Sequence, residues 1–69
     1  MSDYTISRET FTLKEMRRRN GWTAAHVATV FNVHINTIYN WESHPKTMTL
    51  GQLDDLLTYY GYDLVQLNR

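Results

Sequence analysis

A chain of 69 residues without cysteine can form one small domain, and it has neither disulfides nor thiolate metal sites to reinforce it. Stability must then come from a hydrophobic core, or from a core completed by dimerisation. Seven Lys and Arg balance seven Asp and Glu, a formal charge of zero that argues at first against a nucleic-acid partner.

Position along the chain modifies that argument. Residues 13–47 carry Lys14, Arg17, Arg18, Arg19 and Lys46 against Glu15 and Glu42, a net of +3. Residues 48–69 carry Arg69 against Asp54, Asp55 and Asp63, a net of −2, and the first twelve residues add −1. A basic front half and an acidic back half make a dipole that can orient the molecule towards phosphate, though more weakly than a basic domain would. No apolar run approaches the length of a membrane span, and the opening MSDYTISRET lacks the basic-then-apolar pattern of a signal peptide. The expectation is a soluble cytoplasmic protein with no membrane contact.

Residues 1–11 read as an N-terminal arm. The run Thr12-Leu13-Lys14-Glu15 then fits a capping box that opens a first helix. This helix should run through Arg19 or Asn20 and end at Gly21, which can take the left-handed conformation. Its triple arginine suits a helix C-terminus as a solvated face. Thr23 caps a second helix from Ala24 to about Phe31, with Val27, Ala28 and Phe31 on one face. Asn32-Val33-His34 reads as a short turn, since Asn tolerates the left-handed region best after glycine. A third helix follows from Ile35 to about Glu42, burying Ile38 and Trp41.

Ser43-His44-Pro45-Lys46 contains the one proline and is a loop. Thr49 caps a fourth helix, Leu50 to Tyr60, whose Leu53, Leu56, Leu57 and Tyr60 give the strongest helical periodicity in the chain. Gly61 ends it. In residues 62–69 two readings stand side by side. Asp63 can cap a last helical turn, or Tyr62, Leu64 and Gln66 can alternate with Asp63, Val65 and Leu67 in a short strand. The fold expected is all-α: one domain over residues 1–69, a compact bundle of four to five helices with its core in 12–61.

Two helices joined by a three-residue turn, the second short and closing on Trp-Glu, form a helix-turn-helix pattern. Residues 22–42, WTAAHVATVFNVHINTIYNWE, resemble the Cro and phage-repressor type of helix-turn-helix domain. Trp22 and Thr23 match the opening of that family's second helix, Ala28 the small residue where two helices touch, and Asn32-Val33 the turn. Thr37, Ile38, Trp41 and Glu42 match its recognition helix, and Leu13 and Arg17 match its first. The resemblance spans residues 12 to 61. It implies a salt bridge between Arg17 and Glu42. It also implies a small transcriptional regulator of a phage or prophage switch, a repressor that binds operator DNA through residues 35–42.

Three departures stand out. Ala24 replaces the glutamine with which the family contacts the DNA backbone. His34 replaces the Ser or Thr that caps the recognition helix. Ile35, Asn36, Tyr39 and Asn40 replace the Arg, Gln or Lys common at the reading positions. As a DNA-reading surface, His34, Ile35, Asn36, Thr37, Tyr39 and Asn40 would favour A/T pairs. Asn36 and Asn40, four apart, can each bind adenine N6 and N7, and Ile35 can meet a thymine methyl. Arg18, Arg19, Ser43, His44 and Lys46, with Lys14 as a further cation, are the candidate phosphate contacts.

The same uncharged surface also suits a protein interface. The alternative is therefore an antirepressor that docks on a partner repressor protein, and an antitoxin with this fold is a third reading. Tyr59, Tyr62, Leu64 and Leu67 form a candidate homodimer or partner patch. His26, His34 and His44 have neither cysteine partners nor i, i+4 spacing, so no metal site is expected. No residues arrange a nucleophile, base and orienter. Enzyme activity, cofactors and a small-molecule ligand are accordingly not expected.

Overall fold

The computed structural model describes residues 10–68. Four α-helices follow one another: α1 (Leu13–Arg19), α2 (Ala24–Phe31), α3 (Ile35–Ser43) and α4 (Leu50–Tyr60). A 3₁₀ turn, Pro45–Thr47, joins α3 to α4, and a second, Leu64–Gln66, follows α4. The chain is all-α, and α2 and α3 with the turn between them form the helix-turn-helix unit.

Local chemistry sets the helix ends. Glu15 N–H donates to Thr12 Oγ1 at 3.1 Å while Glu15 Oε1 accepts from Thr12 N–H at 2.8 Å, a complete capping box. Thr49 and Gln52 repeat the arrangement at α4, with distances of 3.1 and 3.0 Å. Thr23 Oγ1 caps α2 by accepting from His26 N–H. Asn32 closes α2 in the left-handed conformation (φ 56°, ψ 47°), and Gly61 closes α4 the same way at φ 86°.

The core draws on every helix. Leu13 and Met16 of α1, Val27 of α2, Ile38 of α3 and Leu56 of α4 are fully buried, and Ala24, Ala28, Trp41, Met48, Leu53, Leu57, Tyr60 and Leu67 complete the core. Ala28 allows close approach of α2 to its neighbours, as a small residue at a helix contact should. Along one side of this core the Trp22 and Tyr59 rings stack at 4.5 Å, and Phe31 meets Tyr59 edge-on at 5.7 Å. Asn20 Nδ2 donates to the carbonyl oxygens of Met16 and Tyr60, tying the end of α1 to the end of α4.

The C-terminal segment resolves the two sequence readings in favour of a helical turn. Gln66 Oε1 accepts from Asp63 N–H at the start of the 3₁₀ turn. The alternating strand does not form. What remains of it is one parallel bridge between Phe11 and Leu67, in which Phe11 N–H donates to Gln66 O at 2.7 Å and Asn68 N–H to Phe11 O at 2.9 Å. Arg19 covers this junction of the two chain ends. Its guanidinium lies 4.4 Å from the Phe11 ring centre and its Nε donates to the Tyr62 hydroxyl at 2.9 Å.

Candidate DNA-binding surface

One buried ion pair fixes the placement of α3 on α1. Arg17 Nε donates to Glu42 Oε2 at 2.6 Å and Arg17 Nη2 to Glu42 Oε1 at 3.2 Å, a two-pronged contact. The third prong, Nη1, donates to the Trp22 carbonyl at 3.1 Å. Both side chains are less than a tenth exposed. The hydrogen bond to Glu42 raises the Arg17 pKa above its ordinary value, against the opposing effect of burial. One contact therefore locks the end of α1, the start of α2 and the end of α3. The Tyr60 hydroxyl is also buried, without a hydrogen-bond partner, and burial raises its pKa.

With α3 so placed, its solvent face carries Asn36, Tyr39, Asn40 and Ser43, all exposed and at the three- and four-residue spacing of one helix stripe. Tyr39 is 49% exposed, so its ring stands out from the surface. Beside it lies a cleft of about 580 Å³ between α1 and the start of α2, lined by Lys14, Arg18, Thr23 and Tyr39. A smaller cleft of about 290 Å³ that also borders Tyr39 is lined by Lys14, Glu42 and Ser43. Lys14 and Arg18 share a face of α1 at i, i+4 spacing. The first turn of α2, which opens on the larger cleft, has no acidic side chain. Thr23 satisfies the N–H of His26, and the earlier amides of a helix have no acceptor within it. The arrangement favours an anion on chemical grounds.

Several expected site residues occupy other positions. Ile35 is half-buried and packs against the core. Thr37 is half-buried as well, while His34 is exposed and caps α3. Arg18 is in the cleft, but Arg19, one position further round α1, is engaged with Phe11 and Tyr62 at the chain ends. His44 and Lys46 are exposed at the far end of α3 and in the turn that follows.

In the C-terminal patch, Leu67 is a correction: at 7% exposure it belongs to the core, since the bridge to Phe11 draws it inward. Tyr59 and Tyr62 are half-buried. Tyr59 is held by Trp22 and by a 2.9 Å hydrogen bond to His26, and Tyr62 by Arg19 and Phe11. Leu64 at 43% exposure and Val65 at 84% are the apolar side chains left at the surface there, and Val65 had no sequence signal beyond its hydrophobicity. Lys14 lines both clefts, and its i, i+4 relation to Arg18 is the sequence signal that places the two on one face of α1.

Among the described residues no group of three His, Asp or Glu side chains gathers to hold a metal ion, and no helix is long and apolar enough to cross a membrane. Compared with known proteins, the chain matches no family model, no curated protein and no solved structure.

Proposed function

We propose that this chain is a small helix-turn-helix regulator of the Cro type, a cytoplasmic protein of a phage or prophage switch that acts by occupying operator DNA and carries no enzymatic activity. The observation that supports this reading best is the continuity of two surfaces. The exposed Asn36 and Asn40 of α3 adjoin, through Tyr39, a cleft bearing Lys14 and Arg18. In this reading the asparagines meet base edges, Tyr39 lies along the sugar-phosphate backbone, and Lys14 and Arg18 neutralise phosphates. Few cations make one subunit a weak binder. A pair of subunits on half-sites about one helical turn apart would supply the rest, with Leu64 and Val65 as the apolar surface available for pairing.

Docking on a partner repressor is the second reading, favoured by the absence of charge on the exposed stripe of α3. The half-burial of Ile35 weighs against it, because it removes the aliphatic anchor such an interface would centre on.

Fluorescence anisotropy with random-sequence duplex DNA over a salt series separates the two. The regulator reading expects a steep fall in affinity with salt, and a slope reduced by about one for Lys14→Ala and again for Arg18→Ala. A folded protein that fails to bind duplex at low salt would overturn it.

A further inference from the structure

Three of the four α-helices begin on a threonine: Thr12, Thr23 and Thr49. The recognition helix begins on a histidine. His34 has extended backbone angles (φ −70°, ψ 148°), and its Nδ1 accepts from the N–H of Asn36 at 3.0 Å. A hydroxyl can accept that bond at any ordinary pH. An imidazole can accept it only through an unprotonated nitrogen, here in the tautomer with its proton on Nε2.

Protonation of the ring places an N–H opposite the Asn36 N–H and adds a positive charge at the positive end of the helix dipole. Both effects open the same turn. The first turn of α3 has no acidic residue to offset the charge, and the last turn of α2, which leads into His34, has no basic one to compete with it. The ionisable groups on neighbouring elements are Lys14, Glu15, Arg17, Arg18 and Arg19 on α1, His26 on α2, Tyr39 and Glu42 further along α3, His44 and Lys46 beyond it, and Asp54, Asp55, Tyr59 and Tyr60 on α4. Arg17 is committed to Glu42 and the Trp22 carbonyl, and His26 to Tyr59. His34 itself is exposed, so the proton has free access.

We infer that His34 is a proton-operated cap on the recognition helix. Unprotonated, it closes the first turn of α3 and holds Asn36 in place. Protonated, it releases that turn, and the surface that carries Asn36 loses its preorganisation. The cap stands on the geometry of the free protein; its consequence for DNA rests on the function proposed above.

The test uses the full chain and its His34→Ser variant, which restores a hydroxyl cap, from about pH 8 to pH 5. Amide NMR spectra and hydrogen exchange report on Asn36, and anisotropy with random-sequence duplex at constant ionic strength reports on binding. In the wild type the Asn36 amide should shift and lose protection together with protonation of the His34 ring, and in His34→Ser it should do neither. Wild-type duplex affinity should fall over this range by about fivefold more than that of His34→Ser, the factor expected for one helix cap. An Asn36 amide that keeps its protection while the His34 ring becomes protonated would overturn the inference. So would an equal pH dependence of duplex binding in the two proteins. An Asn36 amide that follows the His34 ring in a protein that binds no duplex at any pH would uphold the cap and overturn the DNA-binding reading instead.

Discussion

Replacing Glu42 by Gln should destabilise this domain severely, and the cost can be worked from the contact it breaks. Arg17 presents three donors, two to the Glu42 carboxylate and one to the Trp22 carbonyl, with both charged side chains largely buried. The substituted glutamine would retain one acceptor oxygen but no charge, and would place an amide N–H₂ opposite a guanidinium donor. Loss of a hydrogen bond to a charged group costs about 1.5–3 kcal/mol, and an uncompensated buried charge costs about 3–5 kcal/mol. For Glu42→Gln we expect about 2 kcal/mol, and for Arg17→Met, which strands the carboxylate, about 3 kcal/mol. A core of this size supplies roughly 3–5 kcal/mol in all, so either change should consume much of the stability.

In a domain of this length 2 kcal/mol corresponds to a fall in Tm of about 8–16 °C. Urea unfolding followed by tryptophan fluorescence is the assay, since Trp41 is buried in the core and Trp22 is half-buried beside it. The decisive comparison is the double variant. If the two side chains act as one unit, removing both should cost about as much as the worse single change, a coupling of about 2 kcal/mol. Single costs that simply add to within about 0.5 kcal/mol would refute the ion pair as the lock between α1 and α3.

Two further outcomes test other parts of the structure. Arg19→Ala should leave the salt slope of duplex binding unchanged while raising amide exchange at Phe11 and Asn68, since its contacts are to Phe11 and Tyr62; a slope lowered as much as by Arg18→Ala would contradict this placement. Tyr60→Phe should be neutral or stabilising by up to about 1 kcal/mol, because the hydroxyl it removes is buried without a partner, and a loss above about 1 kcal/mol on urea unfolding would show that the hydroxyl is bonded after all.

The exposed face of α3 is only partly legible in the sequence. Asn36, Tyr39 and Asn40 are exposed as the helical stripe predicts, because a 3.6-residue period relates them to the buried Ile38 and Trp41. Ile35 departs from the stripe because it packs against the core at the helix start, cover that periodicity cannot register. Likewise, Lys14, Arg18 and Arg19 are equivalent as charges in the sequence. Their different surroundings, Tyr39 for the first two and Phe11 with Tyr62 for the third, come from how α1 is rotated on the core.

What the sequence determined by itself was local. The capping box at Thr12, the caps at Thr23 and Thr49, the left-handed turn at Asn32 and the stop at Gly61 join residues at most four positions apart, so propensity and hydrogen-bonding chemistry define them without the rest of the molecule. The tertiary structure alone decided the contacts across long separations: Phe11 with Leu67, Arg19 with Tyr62, and Trp22 with Tyr59. These depend on how whole helices stack, and burial against a distant partner leaves no periodic mark in the residues that provide it. The Tyr62–Leu67 segment shows the distinction most directly. Its alternation suits a strand, yet among the described residues it bridges to Phe11 alone, closes as a helical turn and buries Leu67.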